Sequence, residues 1–143
     1  MTLAAEPVVL RSRSERLRAP LWSVVGLAAA TAALHVRDPH VHGSWGLCPL
    51  YATTGIYCPG CGGLRGVNDL TDGHVWQAVS SNLLLVLAIP FAVFVLARWS
   101  YAAWTGRDVA LVPAMPRAVT TGLILLVVAF TLARNVPGSW LAP

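Results

Sequence analysis

Three long apolar runs, residues 20–36, 76–98 and 117–133, limit what this 143-residue chain can fold into. Each has roughly the 17–25 residues that an α-helix needs to cross the hydrocarbon core of a bilayer. The chain is 56% hydrophobic and 11% charged, whereas an average globular protein has about 25% charged residues. We therefore predict an all-α membrane protein with three transmembrane helices, in which residues 20–136 form the membrane domain.

The first apolar run begins at Pro20, a residue suited to a first helical turn. Small residues recur along it at three- and four-residue spacing: Gly26, Ala29, Ala30 and Ala33. Such a stripe forms a flat helix face that another helix can approach closely. We expect this face to pack against protein, either within the bundle, against another membrane protein or in a homo-oligomer.

The basic residues are all arginine, and the net charge is +4. Because they stand mostly at the ends of apolar runs, they predict helix anchoring and not nucleic-acid binding. Residues 1–19 are predicted to form a basic cytoplasmic tail, of which residues 1–18 are largely disordered. If the amino terminus is inside, seven arginines are cytoplasmic: Arg11, Arg13, Arg16, Arg18, Arg98, Arg107 and Arg117. Three are outside: Arg37, Arg65 and Arg134.

This distribution follows the positive-inside rule. It predicts a multi-pass protein of a bacterial plasma membrane, with a cytoplasmic amino terminus and the segment between the first two runs outside. The basic tail and first run also resemble a cleavable secretory signal, which is the competing interpretation.

Polar residues open the second run: Gln77, Ser80, Ser81 and Asn82. These side chains are costly against lipid, so we expect them to face protein or water. Pro90 lies in the middle of the run and removes one backbone hydrogen bond, which predicts a kink there.

The connector between the first two runs, residues 37–74, contains all three cysteines. After Cys48 and Pro49 come eight residues and then the segment Cys58-Pro59-Gly60-Cys61-Gly62-Gly63-Leu64-Arg65. Two cysteines separated by two residues bring both sulfurs to one point across a tight turn. A short helix is predicted from about Gly63 to Leu70, ended by Asp72-Gly73, with Arg65 and Asp69 as an ion pair.

Three chemistries are open to these thiols. A redox pair would use Cys58 and Cys61, with a helix dipole lowering the pKa of one thiol. A metal site would combine Cys48, Cys58 and Cys61 with one histidine, a set that zinc favours, and the candidates are His40, His42 and His74. A structural disulfide would join Cys48 to Cys58 or Cys61 and leave one thiol unpaired.

This stretch resembles the bacterial membrane-protein family DUF2752. Its members have a Cys-Pro, a Gly-x-x-Cys-Pro-Gly-Cys-Gly core, a following arginine and glycine, and an alanine and asparagine that open a membrane helix. The matching positions here are Cys48-Pro49, residues 55–62, Arg65, Gly73, Ala78 and Asn82, with Arg134-Asn135 closing the last helix.

The resemblance extends over about residues 47–135 and departs from the family at two positions. Leu64 replaces a common threonine, and Leu83 replaces a common proline. The family implies a multi-pass membrane protein without an established reaction.

From these patterns we expect a non-enzymatic accessory or packing subunit, and no residue is given a catalytic role. The alternative is a thiol/disulfide or zinc site at the membrane surface, built on Cys48, Cys58 and Cys61. Zinc is the cofactor that this alternative involves, and His74 is a further ligand candidate. Structural roles are predicted for the following residues: Pro59, Gly60, Gly62, Gly63, Arg65, Gly73, Asn82, Arg134 and Asn135.

Overall fold

The computed structural model describes residues 12–41, 43–46, 48–107, 110–112 and 115–142. The described chain is helical and contains no strand. Its five helices are α1 (Arg13–Val36), α2 (Pro49–Thr54), α3 (Gly63–Thr71), α4 (Val75–Thr105) and α5 (Arg117–Arg134). Among the described residues, α1, α4 and α5 are long and apolar enough to cross a membrane. The predicted all-α class with three membrane-length helices is therefore confirmed.

The first long helix begins earlier than the apolar run suggests. Ser12 caps α1 by accepting a hydrogen bond from the Glu15 backbone N–H, and the Glu15 carboxylate accepts one from the Ser12 N–H at 2.9 Å. This reciprocal capping box satisfies two backbone donors that would otherwise lack partners. The prediction that the first 18 residues are largely disordered was therefore wrong for residues 13–18, which are helical, while residues 1–11 lie outside the described part.

The irregular point of α4 also differs from the prediction. Asn82 has non-helical angles (φ −162°, ψ 92°), whereas Pro90 lies inside the helix. The Asn82 side-chain oxygen accepts a hydrogen bond from the Leu85 backbone N–H at 2.9 Å. Asparagine is a favoured helix cap, so Asn82 ends one helical segment and caps the next. The backbone break of α4 is therefore at Asn82, eight residues before the proline at which a kink was predicted.

Helix α3 packs closely along the first turns of α4, and α1 contacts both helices. Gly66 makes this approach possible, because a Cβ atom at this position would lie 3.3 Å from the Ala78 carbonyl oxygen. On the other side of α3, the Asn68 amide donates a hydrogen bond to the Leu34 carbonyl at 2.9 Å. The connector therefore folds back as a short helix against the two long ones.

Contacts at the helix ends give the relative directions of the long helices. The Arg16 Nε atom donates to the Ala103 carbonyl at 3.2 Å, so the start of α1 lies beside the end of α4. Arg134, at the end of α5, donates to the Cys58 carbonyl at 3.1 Å. The cysteines, the start of α4 and the end of α5 thus share one end of the molecule.

Polarity is inverted relative to a water-soluble fold. Large hydrophobic side chains such as Ile124 and Leu125 are exposed, and few hydrophobic side chains of the described residues are buried. The buried polar side chains are Asn68, Asp69, Ser81, Asn82 and Arg134. Apolar side chains need no burial inside the protein when lipid surrounds them, whereas polar groups need partners there. These features are those of a membrane protein.

Candidate metal centre

The three cysteine sulfurs lie close together in the connector that joins α1 to α4. The Sγ atoms of Cys48 and Cys58 are 3.6 Å apart, and those of Cys58 and Cys61 are 3.1 Å apart. All three lie within 4.8 Å of one another. Each residue is half-buried and none is in a disulfide. Cys58 and Cys61 therefore converge as their spacing predicts, and Cys48 joins them in a group that could hold a metal ion.

Two short turns bring the sulfurs together. Cys48 directly precedes α2, with Pro49 as its first residue, and Gly55 ends α2 in the left-handed conformation. In the second turn, the Cys61 N–H donates to the Cys58 carbonyl at 3.1 Å. Gly62 then adopts φ 75°, which favours glycine, and leads into α3. The proline after Cys48, Gly55 at the end of α2 and Gly62 after Cys61 thus stand at the points where the chain changes direction around the site.

Arg134 and Asn82 stabilise the second turn by hydrogen bonds to its backbone carbonyls. The Arg134 guanidinium, which is 0% exposed, donates to the carbonyls of Cys58, Pro59 and Cys61 at 3.1, 3.4 and 3.0 Å. The Asn82 amide donates to the Pro59 and Cys61 carbonyls at 2.9 and 3.0 Å. Because a cation's hydrogen bonds are stronger than neutral ones, Arg134 supplies the firmest support of this turn.

The segment before the turn is fixed by α5 as well. The Asn135 side chain accepts from the Tyr57 N–H at 2.8 Å and donates to the Tyr57 carbonyl at 2.9 Å. The Tyr57 ring stacks on the Tyr51 ring with centroids 4.5 Å apart. These contacts join α2, the cysteine turn and the end of α5 into one unit.

The thiols differ in acidity. The pKa of Cys48 is lowered to about 7, first by its interaction with the Tyr51 backbone amide and then by the other two thiols. Burial, followed by hydrogen bonding with the same thiols, raises the pKa of Cys61 to about 12. The redox alternative required a lowered pKa within the Cys58–Cys61 pair, but the clear lowering is at Cys48, which precedes the first turn of α2.

The other predicted site residues have separate roles. Arg65 does not pair with Asp69; the Asp69 carboxylate accepts from the Ser81 hydroxyl at 2.9 Å and faces His40 Nε2 at 3.3 Å. Gly73 adopts φ 79° between α3 and α4. His74 is exposed at the start of α4, outside the three-sulfur group. His42 lies outside the described residues.

Sequence reasoning missed two features of this end of the molecule. Arg134 was assigned only to the close of the last helix, yet it lies beneath the cysteine turn. The other is a chain of contacts in which His40 Nδ1 lies 2.8 Å from Asp38 and its Nε2 faces Asp69. A basic residue closing a membrane helix on the predicted outer side, against the positive-inside rule, was the available signal for Arg134.

The chain has the features of a membrane protein: three membrane-length helices, and a cysteine cluster in the connector between the first two. Residues 48–96 match the model of a family described as a protein of unknown function, DUF2752. This match confirms the resemblance over the cysteine segment and most of α4. No curated protein and no solved structure matches the chain.

Proposed function

We propose that this chain is a multi-pass membrane protein whose three cysteines together bind one thiophilic metal ion, with zinc as the best-fitting ion. The convergence of the three Sγ atoms within 4.8 Å carries this proposal. Thiolates are soft ligands that select zinc and similar metals over hard cations. The proposed centre ties the connector to the membrane helices.

The sulfur separations support a shared ion better than a disulfide. Zinc–sulfur bonds are about 2.3 Å, so two sulfurs on a tetrahedral zinc are roughly 3.8 Å apart. The shortest contact, 3.1 Å between Cys58 and Cys61, and the 3.6 Å contact to Cys48 need only small shifts to reach that spacing. A disulfide would use two thiols and leave the third, although all three sulfurs lie within 4.8 Å of one another.

The charge of Arg134 favours thiolates at this site, whereas burial raises the pKa of the Cys61 thiol, so that Cys61 would need a bound divalent ion to ionise. Among the described residues, no carboxylate forms a salt bridge with the buried Arg134. An uncompensated buried charge is strongly destabilising. A divalent ion with three thiolates has a net charge of −1, which Arg134 would neutralise. Arg134 therefore acts in this proposal both as the support of the turn and as the counter-charge of the centre.

We further propose that the protein lies in a bacterial plasma membrane with its amino terminus in the cytoplasm. The predicted arginine distribution supports this orientation. The contact between Arg16 and the Ala103 carbonyl supports it too, because it brings the basic start of α1 to the same end as Arg98 and Arg107. The cysteine cluster would then lie at the outer surface.

An accessory or packing subunit is the second candidate function. The exposed positions of Gly26, Ala29, Ala30 and Ala33 favour it. A Cβ atom added at Gly26 would meet no atom within 4 Å. This face is thus open to a helix of another membrane protein or of a second copy. The two proposals are compatible, since they concern different parts of the chain.

Metal analysis of the purified protein tests the first proposal. In detergent with a phosphine reductant, we expect about one zinc per chain by mass spectrometry. Replacing any one cysteine with serine should weaken zinc binding by more than about tenfold, because loss of even outer-shell partners costs 10–100-fold. Thr53→Ala is the matched control, since the Thr53 hydroxyl bonds only to carbonyls of its own helix.

Two results would contradict the metal centre. One is a protein that, purified without reductant, is metal-free and has a single titratable thiol, which would support the disulfide instead. The other is unchanged zinc binding after all three cysteines are replaced by serine. Cross-linking of a cysteine introduced at Gly26, in the triple-serine background, separately tests for a partner helix on the small-residue face.

A further inference from the structure

A cavity of about 480 Å³ adjoins the three-sulfur group. This size lies within the range of roughly 300–1,000 Å³ that is typical of small-molecule sites. Cys48 and Cys61 form part of its wall, together with Arg65 and three aromatic residues, Trp45, Tyr51 and Tyr57. Two cysteines, an arginine and three aromatic residues therefore border one space.

Coordination chemistry leaves a position for a ligand from this cavity. Zinc sites with three protein ligands keep a fourth position for water or a substrate. Among the described residues, the group able to bind a metal consists of the three cysteines alone. Since two of these cysteines line the cavity, an ion held by the three sulfurs would adjoin this space.

The charged groups around the cavity indicate the charge of the ligand. Arg65 lines the cavity, and no carboxylate of the described residues pairs with it. The proposed three-thiolate centre has a net charge of −1, which Arg134 balances. A monovalent anion at the fourth position would bring the centre to −2, and Arg65 would supply the second compensating charge.

The aromatic residues of the cavity wall indicate that the rest of the ligand is apolar. Tyr51 and Tyr57 stack, and their hydroxyls are 3.3 Å apart. The Trp45 indole N–H donates to the Arg37 carbonyl at 2.7 Å, which fixes the ring. Fixed aromatic side chains provide contact area for an apolar body at low entropic cost.

We infer that this cavity binds a small organic carboxylate with an apolar body, its carboxylate placed between the metal ion and Arg65. This inference rests on the proposed metal centre. It adds the chemical class of the ligand and gives Arg65 a role in recognising it. Both carboxylate oxygens then have partners, one in the metal and one in the guanidinium.

Cobalt-loaded protein in detergent provides the test, because cobalt substitutes for zinc and its absorption spectrum responds to a fourth ligand. The probes are phenylacetate, acetate, which lacks the apolar body, and the neutral phenylacetamide. We expect phenylacetate to shift the spectrum and to bind at least about tenfold more tightly than either comparator, equivalent to about 1.4 kcal/mol.

Arg65→Gln should weaken phenylacetate binding at least about tenfold, a loss expected for a charge-assisted pair, while cobalt stoichiometry stays the same. Arg18→Gln, at the opposite end of the molecule, is the control and should leave phenylacetate binding unchanged. A spectrum that phenylacetate does not alter, or equal affinity in Arg65→Gln, would overturn this inference alone. Failure to bind cobalt would overturn the metal centre and this inference together.

Discussion

The two ends of the bundle use arginine in opposite ways. At the arginine end, formed by the start of α1 and the end of α4, Arg13 lies over the Trp104 ring at 3.4 Å and is exposed. At the cysteine end, formed by the connector, the start of α4 and the end of α5, Arg134 is fully buried under three carbonyls. Arginine thus serves as an interfacial anchor at one end and as an internal support at the other.

This difference shows where the chain concentrates its specific interactions. Exposed cation–π contacts contribute only about 0.5–1 kcal/mol, and lipid headgroups can replace them. Buried donors and acceptors that lose a partner cost about 1–3 kcal/mol each, and more when they are charged. We therefore expect substitutions at the cysteine end to affect both fold and metal binding, and those at the arginine end to affect neither strongly.

Arg134→Met should give the largest effect. It leaves the carbonyls of Cys58, Pro59 and Cys61 without their charged donor, and we expect a loss of about 3 kcal/mol in the free energy of unfolding in detergent. Zinc content should fall as well. Arg13→Met, at the arginine end, should cost less than about 1 kcal/mol. Equal losses in the two variants would remove the contrast between the ends.

Asn82→Ala should have the next largest effect. The substitution removes the donor to the Pro59 and Cys61 carbonyls and the cap of the Leu85 N–H, so we expect a loss of about 2 kcal/mol. Ser80→Ala is the comparison, because the Ser80 hydroxyl donates only to the Gln77 carbonyl of the same helix. Chemical denaturation of both variants measures the difference, and an Asn82→Ala protein as stable as Ser80→Ala would contradict this role.

Gly66→Ala should have a smaller effect on stability. The added Cβ atom would lie 3.3 Å from the Ala78 carbonyl, so α3 and α4 must separate slightly. Gly122→Ala in α5 meets no atom within 4 Å and should gain up to about 1 kcal/mol from helix propensity. Thermal unfolding should rank Gly66→Ala below Gly122→Ala. The reverse order would show that the packing of α3 on α4 is loose.

The smallest predicted effect is the pH response of Cys48 in metal-free protein. With a pKa of about 7, Cys48 is already half thiolate at pH 7, so its alkylation rate should less than double between pH 7 and pH 8. An ordinary thiol, with a pKa of about 8.5, gains about eightfold over the same interval. Peptide mass spectrometry after iodoacetamide treatment measures this ratio. An eightfold increase at Cys48 would contradict the influence of the first turn of α2.

Local patterns explain which parts of the structure could be predicted. Apolar runs identified the three long helices, and the short helix predicted from about Gly63 is present as α3. The start of α1 was also readable, because Ser12 and Glu15 form a capping-box spacing that the apolar pattern obscured. A kink was predicted at Pro90 because proline is a local signal. The break in α4 at Asn82 instead depends on hydrogen-bond partners far along the chain.

Long-range contacts explain what remained hidden. The hydrogen bond from Arg134 to the Cys58 carbonyl joins residues 76 positions apart, and the recipient is a backbone atom present in every residue. No spacing or composition signal identifies such a partner. The three chemistries of the cysteines stayed open for the same reason, since chain spacing relates Cys58 to Cys61 but does not give the position of Cys48.

X-ray absorption at the zinc edge of the zinc-loaded, detergent-solubilised protein tests the central claim most directly. The account predicts about three sulfur scatterers at about 2.3 Å, with one lighter atom in the remaining position. Retained zinc surrounded only by oxygen and nitrogen, or by a single sulfur, would contradict a centre built on all three cysteines.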